Sequence, residues 1–321
     1  MTVPSAFPST QRSDSAQGHL NKGVTFWQAG KSGEAEAEYR AAILLQPDYA
    51  LAHNNSGHLL TEQGRLAEAV DELREAIRLR PQLRLSYSTL GHTLKRLGKY
   101  DEAIVAYRAE LEYEPRCASA YSNTGLAYQE KGDLFLAVAH HRKALGFAPD
   151  YAIAHTNLGV ALLLQGKAEA AVEAQREAVR LAPTLAKEHF NLGNALSRKE
   201  KWAPALEAFQ AAVIFAPHWP SARRRLANLL AGAERHDEAF AEYNQGLHLD
   251  PNDAKAWSQL GLSLYLRALT EKSRLAAEVA KEALEQAVKL EPHNHEALKM
   301  LSDVKKTLRG RVRPRWPWKN K

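Results

Sequence analysis

The stretch Trp27 to Glu34, "WQAGKSGE", contains Gly30-Lys31-Ser32, the closing residues of a phosphate-binding loop. Such a loop needs a further glycine five residues before the Gly-Lys pair, so that successive backbone N–H groups can cradle phosphates. Thr25 stands there, and the preceding "NKGVTF" does not read as the strand that delivers such a loop. A second candidate chemistry is metal binding. His19, His53, His155 and His189 share one register, but no Cys, Asp or Glu recurs beside them at ligand spacing. The pairs His140-His141 and His293-Asn294-His295 lack a third ligand. Cys117 is the only cysteine, with no base assignable to it, and no Gly-x-Ser-x-Gly elbow or dinucleotide fingerprint occurs. The expectation is a chain with no catalytic residues, no metal and no cofactor.

The elements around the Gly-Lys-Ser stretch show what it is for. Prolines fall at 47, 81, 115, 149, 183, 217 and 251, always 34 residues apart, and the next, Pro292, follows after 41. A fixed period of this size marks a stacked array. On that period "AGKSGE" recurs as "EQGRLAE", "RLGKYDE", "EKGDLFL" and "LQGKAEA". A phosphate loop is used once, whereas a structural turn is used in every unit. Each unit reads as two helices. In the fifth, His155, Leu158, Gly159 and Leu162 share one helical face. After the turn, Ala171, Gln175 and Ala178 face inward on a second helix, which Pro183 stops. Gly23, Gly57, Gly91, Gly125, Gly159, Gly193 and Gly261 share a register, with Ala227 in the remaining unit. Mid-helix glycine costs about 0.5–1 kcal/mol against Ala, so its repetition implies a helix contact with no room for a side chain.

These residues resemble the tetratricopeptide repeat (TPR) pattern. "YSTLGHTL", "HFNLGNAL" and "WSQLGLSL", from Tyr87, His189 and Trp257, match its first helix. Ala103 with Tyr107, and Ala205, Phe209, Ala212 and Pro217, match its second. Lys22, Ser56 and Thr124 depart from the usual Leu, His141 and Gln175 from the aromatic, and Glu110 from a packing Ala. The resemblance implies an all-α, right-handed superhelical solenoid of about eight units. These are 16–49, 50–83, 84–117, 118–151, 152–185, 186–219, 220–253 and 254–294, the last with a seven-residue insertion expected to lengthen its helices. A polar-faced capping helix is expected over 295–308.

In this family the first helices line the concave side. Two residues before the glycine register stand Asn21, Asn55, Thr89, Asn123, Asn157, Asn191, Arg225 and Gln259. Similar asparagines line the groove of the repeat arm of O-GlcNAc transferase and hold extended peptides. Two readings stay open: a ladder of amides that pair with a peptide backbone, or amides that bond neighbouring helices and orient the stack. The same face carries apolar Ile153, Val160 and Leu163, joined by Phe190, and then basic Lys187, Arg198, Arg224, Arg225 and Lys255, with Asn194 and Asn228 between them. This suits an extended partner with apolar and acidic residues, against the alternative of a solvated helix face. Arg224 and Asn228 match the start of a carboxylate clamp, but Gln259 and Glu296 stand where its remainder belongs. The leading expectation is a protein–protein interaction scaffold. One alternative is the targeting arm of a glycosyltransferase-like complex with catalysis on another chain.

Of the 43 Lys and Arg among 321 residues, six lie in 309–321, "RGRVRPRWPWKNK", leaving 37 bases against 37 acids in 1–308. The neutral body argues against a broad nucleic-acid footprint. The tail, disordered by its prolines and like charges, reads as a solubilising segment, as a ligand for anionic lipid or RNA, or as a segment that docks on protein. No apolar run is long enough for a membrane span. Residues 1–15 make a poor signal peptide, so they read as a disordered leader and the chain as cytoplasmic.

Overall fold

The computed structural model describes residues 15–310. The leader up to residue 14 and the tail beyond Gly310 lie outside the described residues. Among those described there are seventeen α-helices and no strand. In pairs they are α1 (Ala16–Gln28) with α2 (Ser32–Leu45), α3 (Ala50–Glu62) with α4 (Leu66–Leu79), α5 (Arg84–Arg96) with α6 (Tyr100–Tyr113), and α7 (Ala118–Lys131) with α8 (Leu134–Phe147). Then come α9 (Ala152–Leu164) and α10 (Ala168–Leu181), α11 (Ala186–Arg198) with α12 (Trp202–Phe215), α13 (Pro220–Gly232) with α14 (His236–Leu249), α15 (Ala254–Glu271) with α16 (Arg274–Leu290), and α17 (His295–Leu308). The described residues form two compact units that divide between Lys167 and Ala168. Within each unit a second helix packs on its own first helix and on the next. The first helices α1, α3, α5, α7 and α9 also pack directly on one another in turn, as do α13, α15 and α17, with no comparable packing between second helices. The first helices therefore form the crowded inner side of each unit.

The helix ends follow from local chemistry. Second helices open with carboxylates such as Glu34, Glu68 and Glu169 in the first turn, which complement the helix dipole. They close two residues before the periodic proline. The intervening Gln46, Arg80 and Glu114 are extended, as a residue preceding proline must be. The Gly-Lys-Ser stretch is a turn whose N–H groups are already used. Gly30 N donates to Trp27 O and Lys31 N to Phe26 O, both at 2.9 Å. The same five-back bond recurs from Arg65, Lys99, Asp133, Lys201 and Arg235.

The glycine register is a row of notches. A Cβ on Gly91 would lie 2.5 Å from Tyr107 Cε1, on Gly57 2.6 Å from Leu73 Cγ, and on Gly193 2.9 Å from Phe209. The seven extra residues preserve this fit. α15 and α16 are 18 and 17 residues long where α3 and α4 are 13 and 14. A Cβ on Gly261 would still lie 2.5 Å from Leu284 Cγ on the paired helix. The departures from the repeat pattern are accommodated inside continuous helices. Glu110 is 6% exposed, with Cys117 Sγ 3.8 Å from its Oε1 and no partner for Oε2. Burial pushes its carboxyl above the ordinary range. His141 fills the Gly125 notch with no exposure. Its Nδ1 is 3.5 Å from Ser122 Oγ and its Nε2 has no partner. Burial, aided by His140, pushes it down to about 4.

Successive pairs are fastened by one recurring bond. His53, His155 and His189 place Nε2 at 2.9, 2.8 and 2.8 Å from the carbonyls of Pro47, Pro149 and Pro183. At the same register Tyr121 donates to Pro115, Arg223 to Pro217 and Trp257 to Pro251. The histidine register is thus a row of hydrogen-bond partners for proline carbonyls. His19, His53 and Arg223 also reach Glu38, Glu72 and Glu242 on their paired helices.

The turns between paired helices differ between the units. Gly30, Gly64, Gly98, Gly132 and Gly166 supply the left-handed residue in the first, whereas Glu200, Glu234 and Lys272 do so in the second, with φ of 56°, 60° and 51°. A side chain in that region costs about 1 kcal/mol or more. Glu200→Gly and Glu234→Gly are expected to raise stability by about 1 kcal/mol each in urea unfolding; an unchanged midpoint would refute strain at these turns.

His141 must be neutral to fit its notch, and its folded value lies below its unfolded one. The stability it permits is complete above about pH 6.5 and declines as pH falls towards 4. Wild type should lose up to about 3 kcal/mol across that window through this residue. His141→Phe should remove that share of the pH dependence, measured as urea midpoints at neutral and mildly acid pH.

Candidate functional site

The inner side of the first unit is built by α1, α3, α5, α7 and α9. Gln17 Nε2 donates to Asn21 Oδ1 at 2.9 Å, and the buried Asn54 Nδ2 to Asn55 Oδ1 at 3.1 Å. Ser86 in turn donates to Asn54 at 2.9 Å, linking α5 to α3. Asn157 Nδ2 donates to Ser122 Oγ at 3.2 Å, linking α9 to α7. Thr61 and Thr93 meet at 2.7 Å, and Arg96 donates to Thr61 O. Trp27 Nε1 binds Glu62 at 2.7 Å, and its ring meets His58 edge-on at 5.2 Å. His58, Thr89, His92, Arg96 and Asn123 surround a polar cleft of about 310 Å³. Burial, then Lys95, Arg96 and His58, pull His92 below its ordinary value. Ile153 stands 57% exposed, while Val160 is half-buried.

The inner side of the second unit is different in charge. Arg224 pairs with Asp253 at 2.9 Å, both largely shielded, and Asn228 accepts from Tyr243 at 2.6 Å. The two residues that match a clamp are therefore occupied internally. Lys187, Arg198, Arg225 and Lys255 remain, and among the described residues no carboxylate lies within ion-pairing distance of any of them. Burial, then Arg224 and Arg198, pull the Arg225 guanidinium below its ordinary value, so positive charge is concentrated there. Asn191 Nδ2 and Gln259 Oε1 are buried without partners. Asn194 is half-buried. Phe190 packs within its unit, against Trp219 at 4.6 Å and Phe209 at 5.5 Å, so it serves the core.

Sequence reasoning missed the cleft of about 610 Å³ beside α12 and α13, lined by Trp202, Ala203, Leu206, Asn228, Leu229, Gly232 and Ala233. The available signal was Gly232, which stands where earlier units carry Gln28, Glu62, Arg96, Glu130, Leu164 and Arg198. It also missed the proline-carbonyl bond. The signal there was a side-chain donor six residues after every periodic proline.

No helix among the described residues is long and apolar enough to cross a membrane. No curated protein sequence matches the chain. Three of the solved structures to which it is similar in fold are the following. The first is "APC/C hetero-tetramer Cut9-Hcn1" (17% identity, TM-score 0.61, 91% of this chain and 56% of that one). The second is PilF of Pseudomonas aeruginosa (23%, 0.60, 68% and 97%). The third is "YrrB: a TPR protein with an unusual peptide-binding site" (24%, 0.51, 60% and 96%). The chain thus spans little more than half the length of the first of these. TPR proteins in general mediate protein–protein interactions. The family model described as "Tetratricopeptide repeat" matches residues 20–83, 134–186 and 190–254, and that described as "TPR repeat" matches 91–132. Helix pairs on a 34-residue period, notched at one glycine register and matched over most of their length, make this chain a member of the tetratricopeptide repeat family.

Proposed function

We propose that the chain is a binding scaffold whose second unit takes an extended, acidic segment of a protein partner along its first helices. The observation that carries this reading is the set of four cations without carboxylate partners, Lys187, Arg198, Arg225 and Lys255, on the side where the first helices meet. The other cations of α11, α13 and α15, namely Arg223, Arg224 and Arg267, are paired. Unpaired like charges repel, so an acidic ligand relieves a cost as well as adding a contact. Both side chains are half-buried, and by turning outward Asn191 can present its partnerless Nδ2 to a peptide carbonyl and Gln259 its Oε1 to a peptide N–H. First helices spaced about 9–10 Å apart correspond to roughly three residues of extended chain, so successive rungs meet every third peptide unit.

The ladder is not uniform. Asn157 already bonds Ser122 across two helices, which supports the stack-orienting reading for that rung. Asn157→Ala is expected to cost about 1 kcal/mol of stability. Asn191→Ala is expected to leave stability unchanged or raised while weakening binding of an Asp/Glu-rich peptide, measured by calorimetry and urea unfolding. Full peptide affinity in the combined Asn191→Ala, Arg225→Ala chain, with an unchanged circular dichroism spectrum, would refute the proposed face.

A further inference from the structure

The cleft beside Trp202 belongs to one place in the array. At the register of Gly232 every earlier unit carries a longer side chain: Gln28, Glu62, Arg96, Glu130, Leu164 and Arg198. A Cβ added to Gly232 meets no atom within 4 Å, and its backbone is not left-handed. The space a side chain would fill at this register is open here. Its walls are apolar and include an uncommonly exposed aromatic. Trp202, the first residue of α12, is 55% exposed and faces the cleft with Leu206, Leu229 and Ala233. Such a patch on a soluble surface marks a contact site.

Charge decides what fits it. Arg225 lies three and four residues before Asn228 and Leu229 of the cleft wall, on the same side of α13. Arg198 closes α11 four residues before Trp202. Neither arginine has a carboxylate partner among the described residues. A basic occupant, including this chain's own "RGRVRPRWPWKNK", meets repulsion at the rim, whereas an acidic one is drawn in.

We infer that the Trp202–Gly232 cleft is a specificity subsite for a bulky apolar side chain, aromatic or leucine-like, carried by an acidic partner segment a few residues from its carboxylates. This rests on the proposed docking face and adds a side-chain selection to it. The acidic residues engage Arg198 and Arg225, and the apolar side chain stacks on Trp202 and fills the volume that Gly232 leaves open. One glycine thus turns a repeated surface position into a pocket.

The test uses the full chain and two fluorescein-labelled peptides, Asp-Glu-Asp-Glu-Gly-Phe-Gly and the same peptide with Ala in place of Phe, read by anisotropy. Wild type is expected to bind the Phe peptide about tenfold tighter or more, the gain from burying one aromatic side chain. Gly232→Gln puts a neutral side chain found at this register (Gln28) into the cleft without strain. It should bind both peptides alike, at the wild-type affinity for the Ala peptide, with a melting temperature that is not lowered. Equal affinities in wild type, or a Phe preference that survives Gly232→Gln, would overturn the subsite and leave the docking face standing. Failure of both peptides to bind wild type would remove both. A chain ending at Gly310 that gains affinity for the Phe peptide but not the Ala peptide would place the chain's own tail in the cleft and overturn the assignment.

Discussion

A missing Cβ governs this structure. At Gly23, Gly57, Gly91, Gly125, Gly193 and Gly261 the first helix lets a side chain from its paired helix into contact with its backbone, closer than any Cβ would permit. The notch sets the distance between the two helices, and that distance sets the angle at which the next pair can pack. Large and small residues must then alternate across the contact. Tyr39, Tyr107 and Phe209 fill three notches, and Ala35, Ala42, Ala103, Ala205 and Ala212 flank them on the same helices with no exposure. Close packing tolerates little deviation in volume. The Gly261–Leu284 contact therefore survives the longer α15 and α16: the extra residues enter as helix while the notch is kept.

Much of the fold could be read from the chain because periodicity and sterics are local. Prolines 34 residues apart stop helices wherever they occur, and a recurrent glycine inside a helix demands a close neighbour. Less of the candidate site was legible, because it depends on pairings between distant positions. Arg224 reads as a free cation until Asp253, capping the start of α15, is seen 2.9 Å away. Phe190 reads as a ligand-facing aromatic until Trp219 and Phe209 close around it. Asn157 and Asn191 hold the same register, yet one meets Ser122 and the other meets no partner. The difference lies in the neighbouring helix, and a register alone does not contain it.

The inner sides of the two units use similar backbone for different electrostatics. In the first, Glu62, Trp27, Arg96 and the Thr61–Thr93 pair bond one another across helices, so the polar groups are largely satisfied by each other. In the second, cations and two buried amide atoms are left without partners. Unsatisfied buried polar atoms cost stability. Such atoms occur in both units, at Glu110, Gln129 and His141 in the first and at Asn191 and Gln259 in the second, where they lie on the same helices as the cations without carboxylate partners.

The bond to the proline carbonyl has a consequence for how such a chain can grow. At six joints a donor near the start of one unit meets the proline carbonyl at the end of the unit before it, so each of these units holds half of a joint. The donor can be His, Tyr, Arg or Trp, because the carbonyl asks only for a hydrogen at one place. A 34-residue segment taken from one such joint to the next therefore carries a matching donor and acceptor at its two ends. The proline-carbonyl joint is the part that repeats, whereas contacts such as Ser86–Asn54, Thr61–Thr93 and Arg224–Asp253 belong to one pair of neighbours each.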